Sequence, residues 1–139
     1  MGLELYNTSQ AAREVFQEAD DSLGIKLSKL IFRGPDSKLK NTANSQPAIM
    51  TVSIAAWKAW KEQAGEDEGS PSMVAGHSLG EYTSMVVAGV TSFSDAVQLV
   101  RKRGQLMQQA AVKRPGGMAA IMGLDELAFA GICAETGVE

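Results

Sequence analysis

One cysteine, Cys133, and one histidine, His77, are all this 139-residue chain holds of the side chains most used for thiol and metal chemistry. A lone cysteine excludes an intramolecular disulfide and any multi-cysteine metal site, and a lone histidine excludes a His-pair zinc motif. Cys133 stands between Ile132 and Ala134, which reads as a buried structural thiol. Long apolar runs are also missing. Nothing approaches the roughly 18 consecutive apolar residues of a membrane span. The opening Met1-Gly2-Leu3-Glu4-Leu5 lacks the basic and apolar regions of a signal peptide, so the expected compartment is the cytoplasm. Charge of one sign is not in excess: the formal net charge is −3, with Lys and Arg scattered among acids, which argues against a nucleic-acid partner. What is present, 45% apolar and 21% charged residues, is the composition of a globular domain with one core.

Capping and breaking residues divide the chain. Thr8 or Ser9 starts a helix that runs through Val15, Phe16 and Ala19 to Leu23, with Gly24 as its stop. An apolar stretch, Leu27 to Phe32, ends at Gly34-Pro35, and Asp36 to Ser45 reads as a surface connection. Gln46-Pro47 opens a second, largely buried helix that ends at Gly65, and the acidic stretch from Gly65 to Ser70 is an exposed connection. Ser72-Met73-Val74-Ala75 reads as a strand buried on both faces. Tyr82 to Gly89 reads as a buried helix packed on the sheet, and Thr91 or Ser94 caps a further helix from Asp95 to about Ala111. Beyond Pro115-Gly116-Gly117, Met118 to Leu124 looks like a strand and Asp125 to Thr136 like a helix ending at Gly137. Strand, elbow and helix in this order indicate an α/β fold with a parallel sheet.

Gly76-His77-Ser78-Leu79-Gly80 satisfies the G-x-S-x-G nucleophile-elbow pattern, in which a serine takes a strained turn between strand and helix. Gly76 and Gly80 are expected to supply clearance for the facing backbone. Ser78 then projects Oγ near a helix N-terminus, where free N–H groups favour a developing oxyanion, and the N–H of Leu79 is one expected donor. The bland alternative is a tight turn whose serine caps a helix. His77 is a poor base for Ser78, because adjacent residues at a strand end point to opposite sides. It is assigned instead to lining the site or bonding nearby backbone.

On the helix from Asp95, Ala96, Leu99, Val100, Arg103, Leu106, Met107 and Ala110 share one stripe at helical spacing. Arg103 is thereby expected at the centre of a core-facing stripe, with Arg101 and Lys102 directed to solvent. A guanidinium so placed needs an anion, because desolvating an unpaired charge costs several kcal/mol. Its partner is either a protein carboxylate such as Glu81 or the carboxylate of a ligand held bidentately.

These residues together resemble the malonyl-CoA:acyl-carrier-protein transacylases of fatty acid synthesis and the related acyltransferase domains of polyketide synthases. The resemblance rests on Gln46-Pro47-Ala48, Gly76-His77-Ser78-Leu79-Gly80-Glu81-Tyr82, Ala88-Gly89-Val90, Arg103-Gly104 with Met107, and Gly117-Met118-Ala119-Ala120-Ile121. It implies that Ser78 is the acyl-accepting nucleophile and that Arg103 clamps the malonyl carboxylate. It further implies that Leu79 gives an oxyanion N–H, Gln46 lines the site entrance and Met107 lines the acyl pocket. The implied reaction is ping-pong, from malonyl-CoA to Ser78 and then to the phosphopantetheine thiol of an acyl carrier protein, with no cofactor of the enzyme's own.

The family's Gly-Gln-Gly loop and catalytic histidine have no counterpart here, so the resemblance implies a piece of a longer protein. Residues 1–114 would be part of a large, hydrolase-like subdomain, and residues 115–139 the opening strand and helix of a small ferredoxin-like one. Such a piece is expected to be inactive and to self-associate through surfaces left uncovered. Two other readings compete: an esterase or thioesterase of the α/β-hydrolase type, and a noncatalytic remnant that keeps the fold without its base.

Overall fold

The computed structural model describes residues 1–64, 70–115 and 121–137, and every regular element among them is a helix. A short α1 (Leu3–Thr8) leads into α2 (Gln10–Leu23). As expected, Ser9 caps α2, its Oγ accepting from the Ala12 N–H at 3.0 Å, and Gly24 ends it in the left-handed region at φ 62°. The Ser9 hydroxyl also donates to Glu62 Oε2 at 2.6 Å, tying the start of α2 to α5 (Thr42–Ala64). The apolar stretch after Gly24 is a helix, α3 (Leu27–Arg33), whose start is held by the buried Asp20 carboxylate, accepting from the Ser28 N–H and hydroxyl. One turn, α4 (Asp36–Leu39), follows.

Helix α5 begins a turn earlier than Gln46-Pro47. The carboxamide oxygen of Asn41 accepts from the Ala43 N–H at 3.0 Å, and its carbonyl accepts from Asn44 and Ser45, so the cap lies upstream and Pro47 is carried inside the helix. α5 is the centre of the fold, packed by α2, α6 (Leu79–Val87) and α7 (Phe93–Lys113). Its buried side chains include Pro47, Ala48, Met50, Ile54, Ala55 and Ala59, which meet Ala12, Val15, Phe16 and Ala19 of α2 at helical spacing. Fully burying Phe16, Met50 or Ile54 contributes about 1.5–3 kcal/mol each. The rings of Tyr6, Phe16 and Phe32 close one end of this core, with Phe16 and Phe32 centroids 4.9 Å apart.

Several expectations are corrected. Residues 72–75 form no strand: no described segment lies alongside to complete a ladder, and Met73 is 90% exposed. Residues 121–124 likewise form none, and positions 118–120 lie outside the described residues, as does most of the 65–70 connection. α6 is one-sided rather than buried, with Leu79, Tyr82, Val86 and Val87 half-buried against the core and Met85 exposed. The cap of α7 is neither Thr91 nor Ser94 but Ser92, whose Oγ accepts from the Asp95 N–H at 3.0 Å while its hydroxyl donates to the Asp95 carboxylate. Ser94 instead pairs with Ser22 across to α2. The last helix, α8 (Glu126–Thr136), starts one residue later than expected, with Asp125 as its cap, and ends at a left-handed Gly137 as expected. None of its residues is buried, so Cys133 is half-exposed rather than a core thiol.

Candidate active site

Ser78 sits immediately before α6 at φ 54° and ψ −108°, and it is the one non-glycine residue with positive φ among the described residues. Holding a residue with a Cβ in that region costs of order 1–3 kcal/mol, and it turns the chain sharply into the helix. Gly76 makes the turn possible. A Cβ there would overlap the carbonyl of Gly80 and the nitrogen of Glu81, so the backbone two residues before Ser78 lies directly on the first turn of α6. Gly80 carries no such constraint: a Cβ on it meets nothing within 4 Å, which corrects the expectation that both glycines supply clearance. The Leu79 N–H, first of the helix, donates to no acceptor among the described residues, whereas those of Gly80 and Glu81 bond back to His77 and Ser78. A free donor therefore stands beside Ser78 at the positive end of α6.

Arg103 reaches this serine from α7. Its Nη2 donates to Ser78 Oγ at 3.0 Å, and its Nη1 makes a short hydrogen bond to Gln46 Oε1 of α5. The guanidinium also lies over the ring of Tyr82, 5.8 Å from the centroid. Gln46 is only 6% exposed, and its Nε2 donates to Met107 Sδ at 3.2 Å. Ser78, Arg103, Gln46 and Met107 are thus joined in one chain of contacts across three helices.

Close approach of α5 and α7 brings this about. A Cβ on Gly104 would overlap the Thr42 carbonyl, so glycine lets α7 settle on the first turn of α5. Gln46, one turn along from Thr42, then faces Arg103 and Met107, one turn apart on α7. The same contact rotates the buried stripe of α7 to Phe93, Ala96, Val97, Val100 and Gly104. Arg103 lies at the margin of that stripe rather than its centre, while Leu99 and Leu106 are exposed. Arg101 is not directed to solvent either: it is part-buried, and its Nη1 has no hydrogen-bond partner among the described residues.

Of the two partners open to Arg103, no described carboxylate takes the place. Glu81 is exposed, and the sole ion pair among the described residues joins Lys26 to Asp20. His77 is exposed, and its imidazole makes no hydrogen bond with any described residue; only its carbonyl is used, by the Gly80 N–H at 2.9 Å. It does not join the other site residues. Tyr82 is the member that motif reading passed over as a contact. Its signal is spacing, since it lies one turn after Ser78 on the same helix face. No helix among the described residues is long and apolar enough to cross a membrane.

The chain is similar to malonyl transacylases of known sequence and structure. The malonyl CoA-acyl carrier protein transacylase of Bacillus subtilis strain 168 is 50% identical over 125 residues, covering 90% of this chain and 38% of that protein. The crystal structure of the acyl-carrier-protein S-malonyltransferase of Burkholderia pseudomallei 1710b superimposes with a TM-score of 0.84 at 45% identity, over 97% of this chain and 43% of that one. A malonyl-transacylase in complex with a type II PKS acyl-carrier protein superimposes with a TM-score of 0.82 at 40% identity, over 97% of this chain and 43% of that one. The chain therefore spans about two fifths of the length of these relatives and has the fold of the matching part of the malonyltransferases. The acyl transferase domain family matches residues 1–135, and the chain belongs to that family.

Proposed function

We propose that this chain is the acyl-binding portion of an enzyme that moves a malonyl group from coenzyme A to the phosphopantetheine thiol of an acyl carrier protein. The observation that carries the reading is the Arg103 guanidinium, 3.0 Å from Ser78 Oγ and bound by no carboxylate among the described residues. A cation held beside a nucleophile, with neutral partners only, is a receptor for an acyl group that bears its own negative charge.

In this reading Ser78 Oγ attacks the thioester carbonyl, and the oxyanion accepts from the Leu79 N–H. The C–S bond breaks, coenzyme A leaves as the thiol, and malonyl remains as an ester on Ser78. The carrier thiol then attacks that ester, the C–O bond breaks, and Oγ recovers its proton. Arg103 holds the distal carboxylate through both steps, and Met107 lines the acyl pocket beside it. The proton on Oγ needs a base, and the imidazole of His77, the sequence's one histidine, makes no hydrogen bond to Ser78. The 139-residue chain alone is accordingly expected not to turn over. In the whole protein, residues 72–75 would join a parallel sheet, with residues 1–114 in a large subdomain and 115–139 opening a small one. A soluble, cytoplasmic enzyme fits this substrate pair.

Incubating the full-length parent with radiolabelled malonyl-CoA tests the reading. Label is expected on Ser78, with transfer to holo carrier protein, and Arg103→Ala is expected to abolish the preference for malonyl over neutral acyl groups. Turnover of neutral p-nitrophenyl esters that survives Arg103→Ala, without any preference for malonyl-CoA in the parent, would assign a hydrolase instead.

A further inference from the structure

A buried amide on a largely apolar helix face calls for a reason. Gln46 is flanked on α5 by Pro47, Ala48 and Met50, all buried, and placing an amide there is unfavourable unless both its ends are hydrogen-bonded. Both are. Oε1 accepts from Arg103 Nη1, and Nε2 donates to Met107 Sδ. The orientation is forced, because a guanidinium only donates and a thioether only accepts.

The neutrality of Gln46 matters as much as its position. A glutamate in its place would make a stronger, charge-assisted contact with Arg103, but it would also consume the positive charge. The glutamine fixes one edge of the guanidinium and leaves its charge uncompensated, so Nη2, now on Ser78 Oγ, is the edge a bound anion can take.

We propose that Gln46 is the positioning residue for acyl selectivity: clamped by Met107, it presents the Arg103 guanidinium, with its charge unspent, to the carboxylate of the incoming acyl group. It acts through Arg103 and touches neither the acyl carbonyl nor Ser78. The inference rests on the malonyl-transfer reading and deepens it.

The test uses the full-length parent, its Gln46→Glu, Gln46→Leu and Arg103→Ala variants, and malonyl-CoA beside acetyl-CoA. Gln46→Glu keeps the shape and an acceptor for Nη1 but neutralises the site, and Gln46→Leu removes the acceptor. Each is expected to lower the malonyl-to-acetyl ratio of kcat/KM about tenfold, with the KM for malonyl-CoA carrying the larger part. Equal losses for both acyl groups would mark Gln46 as a packing residue and overturn the inference, as would an unchanged ratio. If Gln46→Leu does not fold, the nearly isosteric Gln46→Glu decides alone. Should Arg103→Ala abolish the malonyl preference while both Gln46 variants retain it, the inference fails and malonyl transfer stands. Should Arg103→Ala leave the preference intact, both fail.

Discussion

Arg103 Nη2 donates to Ser78 Oγ at 3.0 Å, although the two residues stand 25 positions apart and on different elements. The hydroxyl proposed as the nucleophile is here an acceptor, one of its lone pairs occupied by a cation. Removing that donor frees the oxygen. Arg103→Ala in the full-length parent is expected to raise the rate at which phenylmethylsulfonyl fluoride, a neutral reagent, modifies Ser78 by roughly three- to tenfold, the worth of one hydrogen bond. Adduct formation followed by mass spectrometry measures it. A rate equal to or below that of the parent would show that the guanidinium does not restrain Oγ.

The two elbow glycines should respond oppositely to alanine. Gly76→Ala drives a Cβ into the Gly80 carbonyl, and overpacking against backbone is expected to cost at least about 2 kcal/mol in this chain and to abolish labelling of Ser78 in the parent. Gly80→Ala meets open space within α6 and is expected to stabilise the chain by about 0.5–1 kcal/mol through helix propensity. Urea denaturation of both variants decides the matter, and equal effects would contradict it.

Gly104→Ala pits about 1 kcal/mol of helix propensity against a Cβ pressed on the Thr42 carbonyl. Steric exclusion by rigid backbone wins, and a net loss of roughly 2 kcal/mol is expected. Because α7 must lift from α5, the Arg103–Gln46 contact should loosen, and the KM for malonyl-CoA in the parent should rise. Denaturant melting combined with initial rates separates the two effects.

Ser9 serves two partners, the Ala12 N–H as an N-cap and the Glu62 carboxylate as a donor. Ser9→Ala is expected to destabilise the chain by about 1 kcal/mol, seen as a lowered Tm. Glu62→Ala should cost less when Ser9 is already alanine, since half of its contact is then gone. A double-mutant cycle with no coupling would count against the bridge.

Arg101 offers the reverse case. Its buried Nη1 donates to no acceptor among the described residues, so Arg101→Met is expected to remove an unsatisfied group at little packing loss, with stability held or raised by up to about 1 kcal/mol. A clear loss in urea denaturation would reveal a partner for that nitrogen.

What was legible in the sequence was mostly local chemistry. Ser9 and Gly24 marked both ends of α2, and Gly137 the end of α8, because caps act within one turn of the backbone they satisfy. That Ser78 and Arg103 share one site was legible through the family resemblance, but the hydrogen bond between them was not, since the sequence offered Arg103 only a carboxylate. Features decided at a distance were not. The seating of Gly104 on Thr42 turned α7, so a stripe counted from apolar residues alone placed Arg103 too centrally. Ser92 outcompeted Thr91 and Ser94 as the cap because Asp95, three residues on, returned its hydrogen bond. Residues 72–75 have strand composition, but a strand exists only against a neighbour's backbone, which no described segment supplies.

At Gly76 the main chain rests on the main chain of Gly80 and Glu81, with no side chain between. The location of the Ser78 oxygen is therefore inherited from peptide geometry rather than from core packing. The side chains at 46, 103 and 107, to which the proposal assigns selectivity, can be exchanged in this scaffold while the Ser78 oxygen stays where it is.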